Sequence, residues 1–214
     1  MIAEATLAHL RSGGTVAYPT STLPGLACLP TSAALDRLYE LKRRSVAKPV
    51  SLGVLDLEQA SSLVDVPAIV AELEAAFPKG GITFVLDALH PLDTRLGGSR
   101  VAVRCLAHPV ARALVEAVGP ITATSANEAG EAPEVTAEAA GAGLGLPPEA
   151  VLAGACPGGL GSTFLGVENG VDGLEVTVIR EGVVPPSSVI EWWTNRTSST
   201  GETPGTSPGA PLRR

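Results

Sequence analysis

Apolar residues recur along this chain in two rhythms. Ile2, Ala3, Leu7 and Leu10 share one helical face before Gly13-Gly14, which predicts an amphipathic helix over 2–10. Leu35, Leu38 and Leu41 repeat at the same spacing behind Thr31 and Ser32, two N-cap candidates, and predict a helix over 33–41. Ile69, Val70, Leu73 and Phe77 predict another over 66–77, His108-Pro109 opens one over 110–118, and a short one fits 136–141. Between them, short apolar runs over 15–18, 50–55, 82–86, 101–103, 121–124 and 176–179 read as strands. Residues 87–98 are a poorly patterned connector, and 142–161 are rich in Gly, Ala and Pro. Residues 1–193 read as one domain, while 194–214, mostly Thr, Ser, Gly, Pro and Arg, have little to bury and read as a disordered tail.

Polar residues gather where these strands end. The strand over 15–18 runs into Pro19-Thr20-Ser21-Thr22 and then Pro24-Gly25. Threonine hydroxyls beside glycine offer a ligand neutral hydrogen bonds and close backbone approach, although such hydroxyls also bond their own loop. Arg104 follows three apolar strand residues, and Ser125-Ala126-Asn127 turns at the end of 121–124, where open α/β sheets usually hold ligands. The densest group is Lys42, Arg43, Arg44 and Lys48, within seven positions of a chain whose net charge is −7. Placed between a helix and a strand, these cations form a local site for an anionic small molecule. The alternative is a solvated helix C-terminus, where cations gain about 0.3–1 kcal/mol from the dipole.

Composition narrows the classes. Hydrophobic residues make up 45% of the chain and aromatic ones 3%, so Leu, Val, Ile and Ala must fill the core. No apolar run approaches the roughly 20 residues that span a bilayer, and no basic-then-apolar leader opens the chain. This reads as a cytoplasmic protein without a membrane partner. Cys28, Cys105 and Cys156 lack metal-site or disulfide spacing and read as buried or half-buried thiols. Fifteen basic against twenty-two acidic residues argue against duplex nucleic acid as the main partner, leaving room for a weak RNA contact. Neither GxGxxG nor GxxxxGK[ST] occurs, and no Gly-x-Ser-x-Gly elbow surrounds Ser125. His9 and His90 read as exposed, and His108 as a helix cap or a neighbour of the site.

Six segments in order carry a family resemblance: Pro19-Thr20-Ser21-Thr22-Leu23-Pro24-Gly25-Leu26, Lys42-Arg43-Arg44, Gly80-Gly81-Ile82-Thr83, Val103-Arg104, Ser125-Ala126-Asn127 and Ser162-Thr163. Together they resemble the YrdC family of threonylcarbamoyl-AMP synthases. The resemblance implies an α/β fold, a YrdC/RibB-like twisted mixed sheet with surrounding helices and a deep cleft. It implies a nucleotidyltransferase that joins L-threonine, bicarbonate and ATP and releases pyrophosphate. Its product would pass to a transferase complex modifying the tRNA adenosine next to the anticodon. Lys42, Arg44 and Arg104 are then the catalytic cations, and Thr20 and Thr22 contact threonine. Lys42, Arg44, Lys48, Pro49, Thr83, Ser125, Asn127, Ser162 and Arg180 bind the nucleotide, with Arg43 turned away. Mg2+ is expected on the ATP phosphates, with no metal site built by the protein.

The chain departs from the family pattern at Ser21, where an acid is usual, at Pro24, where an aromatic is usual, at Gly81 in place of proline, and at Cys156 in an Asp-Gly-Gly-like segment. Two alternatives keep the resemblance: an RNA-binding or ribosome-associated protein with little synthase activity, and an enzyme acting on another amine.

Overall fold

Most of the apolar runs become strands buried on both faces. The computed structural model describes residues 1–170 and 173–200. In chain order its elements are α1 (Glu4–Arg11), β1 (Val16–Tyr18), β2 (Gly25–Ala27), α2 (Ser32–Leu41), β3 (Leu52–Val54), α3 (Leu57–Ala60), α4 (Ala68–Ala76), β4 (Ile82–Asp87), β5 (Arg100–Cys105), α5 (Pro109–Val118), β6 (Ile121–Thr122), β7 (Thr124–Ser125), α6 (Ala137–Gly143), β8 (Thr163–Gly170), β9 (Gly173–Arg180) and α7 (Pro186–Thr200). Six strands form a mixed sheet in the order β6-β3-β5-β4-β8-β9, parallel at β3–β5 and β4–β8 and antiparallel elsewhere. A second, antiparallel sheet has the order β1-β2-β7.

The apolar run over 121–124 joins the two sheets. Its first half pairs with β3 through Leu52↔Thr122, and its second half with β2 through Gly25↔Ser125. Thr122 stitches the crossing: its Oγ1 donates to the Leu26 carbonyl (3.0 Å) and accepts from the Cys28 amide (2.9 Å). A β-branched residue whose hydroxyl can both donate and accept suits a fully buried switch between ladders.

Apolar clusters lie around both sheets. Leu35, Leu38, Leu52, Leu73, Phe84, Val103 and Leu165 belong to the larger, which α2 and α4 help to close. Leu10, Tyr18, Leu106, Leu114 and Ile121 form the smaller, with α1 and α5. Aliphatic side chains dominate both, as the scarcity of aromatics demands.

Several expectations change. Strand β8 carries no sequence signal because Gly166 and Gly170 interrupt its pattern, yet it pairs with β4 and β9. Helix α7 extends over residues 194–200, into the stretch expected as a tail, and packs Trp192 against Phe77 (centroids 6.4 Å apart). Arg196 donates to both oxygens of Glu72 at 2.6 and 3.0 Å. The rest of the expected tail lies outside the described residues. His9 is half-buried rather than exposed, because Gly14 leaves room for its ring and its Nε2 lies 3.1 Å from the Thr15 carbonyl. His90 is exposed, and His108 caps α5 by accepting from the Val110 amide. Cys28 and Cys105 are buried thiols and Cys156 is half-buried. No described helix is long and apolar enough to cross a membrane.

Candidate active site

A cleft opens where the small sheet meets the strand ends of the large one, with a volume of about 240 Å3. One side is the turn between β1 and β2. Thr20 Oγ1 donates to the Leu23 carbonyl (2.7 Å) and accepts from the Thr22 amide (3.1 Å), so this loop partly satisfies itself. It is pinned from outside by the Gly158 amide on the Thr22 carbonyl (3.0 Å) and by the Thr20 amide on Cys156 Sγ (3.3 Å). Cys156 thus takes a loop-holding place in the segment that departs from the family pattern.

Arg104, at the end of β5, rises into this loop and is only 7% exposed. Its Nε donates to the Gly80 carbonyl (2.9 Å), and its Nη2 to Thr22 Oγ1 (2.9 Å) and Ser21 Oγ (3.3 Å). Gly80 sits at φ +73, and a Cβ there would fall 2.6 Å from Ser21 Oγ, so both backbone and space require glycine.

Arg44 and Arg180 supply the cleft's other cations. Arg44 donates through Nε to the Lys48 carbonyl (2.7 Å) and through Nη2 to that of Pro49 (2.9 Å). Arg180 donates to the Ser162 carbonyl (3.0 Å) and lies 3.9 Å over the Phe164 ring. No described carboxylate forms an ion pair with Arg44, Arg104 or Arg180, and no Asp or Glu among the described residues lines the cleft. Burial lowers the pKa of Arg104 and of Arg180. Arg180 also depresses that of Arg104, and Arg44 that of Arg180, so the guanidiniums repel in series. A polyanion would relieve that repulsion.

Of the residues expected at the site, Thr20, Thr22, Arg44, Pro49, Arg104, Ser125, Ser162 and Arg180 line this cleft. The other four do not. Lys42 is 1% exposed and turned into the protein, where Nζ donates to the carbonyls of Ser125 and Asn127. Lys42 is the C-cap of α2, and the chain turns sharply after it, with Arg43 at a left-handed φ of 48°, before Arg44 reaches the cleft. Burial, helped by the Arg44 charge, lowers the Lys42 pKa to about 8. Arg43 points away, as expected, and pairs with Glu128 at 3.3 Å. Lys48 is exposed and contributes its carbonyl, which accepts from Arg44 and from the Tyr39 hydroxyl. Thr83 is buried behind Ser162 and shares a 2.6 Å hydrogen bond with its hydroxyl. Asn127 turns its Nδ2 to the carbonyls of Glu128 and Glu131 and lines a neighbouring cavity instead.

Tyr18 and Phe164 line the cleft without having been expected there. Tyr18 reads in sequence as a plain strand residue, and Phe164 lies in the unsignalled β8. Tyr18 faces Gly25 directly across β1 and β2, and a Cβ on Gly25 would come within 2.6 Å of its ring. Gly25→Ala should therefore cost about 1–3 kcal/mol by overpacking. A fall in the urea midpoint at constant slope is the expected result; an unchanged midpoint would mean that the ring moves aside freely.

Fold and site together define a mixed α/β protein with a cationic, carboxylate-free cleft at its strand ends, suited to an anionic small molecule. The particular family follows from comparison with known proteins. The Sua5/YciO/YrdC family model, described as telomere recombination, matches residues 8–182, and the chain belongs to that family. The threonylcarbamoyl-AMP synthase of Methylococcus capsulatus is 41% identical over 133 residues, 59% of this chain and 71% of that protein. Its counterpart in Xanthomonas campestris pv. campestris is 38% identical over 138 residues, 61% and 73%. Among solved structures, P. abyssi Sua5 complexed with L-threonine matches with a TM-score of 0.77 at 25% identity, covering 96% of this chain. The chain spans 63% of that protein's length. The fold is that expected from the six motifs, a mixed sheet with flanking helices and a cleft.

Proposed function

We propose that this chain is a nucleotidyltransferase making threonylcarbamoyl-AMP from L-threonine, bicarbonate and ATP. The amine of threonine and bicarbonate give a carbamate and water. A carbamate oxygen then attacks the α-phosphorus of ATP, and the bond to the bridging oxygen breaks as pyrophosphate leaves. The observation that carries this reading is the set of three guanidiniums, unpaired by carboxylate, beside a hydroxyl-bearing loop. Charge gathers on the α-phosphate and the leaving pyrophosphate in the transition state, and fixed cations stabilise it without reorganising. Arg44 and Arg180 are placed for phosphate oxygens, Ser125 and Ser162 for neutral contacts to the nucleotide, and Thr20 and Thr22 for threonine. The names of the synthase relatives and the threonine complex of P. abyssi Sua5 support the same substrates.

Among the described residues no side chain in the cleft is a carboxylate, so Mg2+ would arrive as part of the substrate, on the ATP phosphates. No histidine lines the cleft either; proximity of the reactants and electrostatic preorganisation carry the reaction. The product would pass, in the cytoplasm, to a tRNA-modifying transferase.

The test is pyrophosphate release from ATP and bicarbonate with and without L-threonine, followed by mass spectrometry of the nucleotide. Threonine-dependent release with a threonylcarbamoyl-AMP mass is expected. Release that depends on a different amine, or none from folded protein that binds ATP, would overturn the reading.

A further inference from the structure

We propose that Phe164 is a positioning residue for nucleotide binding: its ring clamps the Arg180 guanidinium over the cleft without neutralising it. This rests on the assignment of Arg180 to the ATP phosphates in the synthase reading above. Arg180 ends β9, the edge strand of the larger sheet, and is exposed, so packing does not enclose its side chain. Two other guanidiniums, those of Arg44 and Arg104, push against it, and no described carboxylate forms an ion pair with it. Left to itself, a long cation in that setting turns out into water, where its charge is solvated and its rotamers are free. Two contacts oppose this. Nη2 donates to the Ser162 carbonyl (3.0 Å), and the guanidinium carbon lies 3.9 Å from the centre of the Phe164 ring.

The backbone builds the second contact. Leu165 pairs with Val178, and in an unbroken antiparallel ladder Phe164 would then face Ile179. Instead the register shifts between Phe164 and Leu165, and Phe164 pairs with Arg180. Ile179 is passed over and left exposed. Such a bulge re-aims a side chain, and here it sets the arginine against the cross-strand ring at the edge of the cleft. An aromatic partner has a chemical advantage over an acidic one. A carboxylate would hold Arg180 but cancel its charge and repel the phosphates of ATP. A ring face attracts the cation through its quadrupole, brings no opposing charge and leaves N–H donors for the ligand. Phe164 and Arg180 line the same cleft, so the clamp stands at the site itself.

The test is calorimetric ATP binding by the full chain, which needs no turnover, with melting temperatures measured alongside. Phe164→Leu keeps an apolar side chain and removes the ring; it should weaken ATP binding by more than twofold, about fivefold, at a melting temperature close to that of the wild type. Phe164→Met takes its place if the leucine variant melts lower, with the same outcomes expected. Phe164→Tyr keeps the ring and should bind ATP more tightly than Phe164→Leu by the same factor. In an Arg180→Ala background, Phe164→Leu should change ATP affinity by less than about twofold, because the ring acts through the guanidinium. Steady-state constants should show KM for ATP rising in Phe164→Leu while KM for L-threonine stays within about twofold. ATP affinity in Phe164→Leu within twofold of the wild type, equal losses in the leucine and tyrosine variants, or the same loss with and without Arg180 overturns this inference. Wild-type protein that binds ATP but releases no pyrophosphate overturns the synthase reading and leaves the clamp standing.

Discussion

Methionine in place of Lys42 should lower the melting temperature by about 5 °C and cut pyrophosphate release at least tenfold. The buried ammonium is the donor to two carbonyls, those of Ser125 and Asn127, at the strand end that forms one wall of the cleft. An unsatisfied buried acceptor costs about 1–3 kcal/mol, and removal of the buried charge offsets part of this. In a chain of this size each kcal/mol moves the midpoint by about 2–4 °C. Activity falls because Ser125, which lines the cleft, loses its anchor. The stability difference should also depend on pH. The folded-state pKa of Lys42, about 8, lies below its ordinary 10.5. Between those values the unfolded chain binds more protons, so stability from this group rises with pH and levels off beyond the upper one. Thermal melts of both proteins from pH 7 to pH 10.5 should show the wild type gaining on Lys42→Met. Equal melting temperatures throughout would overturn this role of Lys42.

Arg44→Ala should produce the same loss of turnover, tenfold or more, with the melting temperature almost unmoved. Arg44 bonds two carbonyls of its own half-exposed loop, so its removal uncovers groups that water can satisfy. Its charge, by contrast, faces the cleft without a carboxylate partner. KM for ATP should rise along with the fall in kcat, since a phosphate cation acts in both the ground and the transition state. Full turnover in this variant would remove the basic loop from the mechanism. Together the two variants separate neighbouring cations that look equivalent in the sequence: one acts through the backbone it holds, the other through the charge it presents.

How far the sequence reaches is clearest in those same residues. The basic loop after α2 was legible because four cations on an acidic chain are a local compositional fact. Which of them lines the cleft was not, because that depends on the turn after α2 and on the carbonyls of Ser125 and Asn127, which take Lys42 inward. Likewise Ser162-Thr163 stood out as a polar pair, while the strand that begins at Thr163 did not, since its glycines hide the apolar alternation that burial between β4 and β9 makes unnecessary. The run over 121–124 was legible as a strand, but its division between two sheets was not. Residues 194–200 look polar, yet α7 continues through them and Arg196 pairs with Glu72, 124 positions away.

The sequence alone determined the elements with strong periodicity, the aliphatic character of the core, the order of the six motifs and the list of residues from which a site could be built. These follow from local spacing and composition, which act over a few residues. The tertiary structure decided which of those residues share a cleft, which stand behind it and what each polar atom is bonded to. Those outcomes rest on burial and on long-range hydrogen bonds: Arg104 reaches Thr22 across 82 positions and Lys42 reaches Ser125 across 83. Such partners become neighbours only once the sheets are closed.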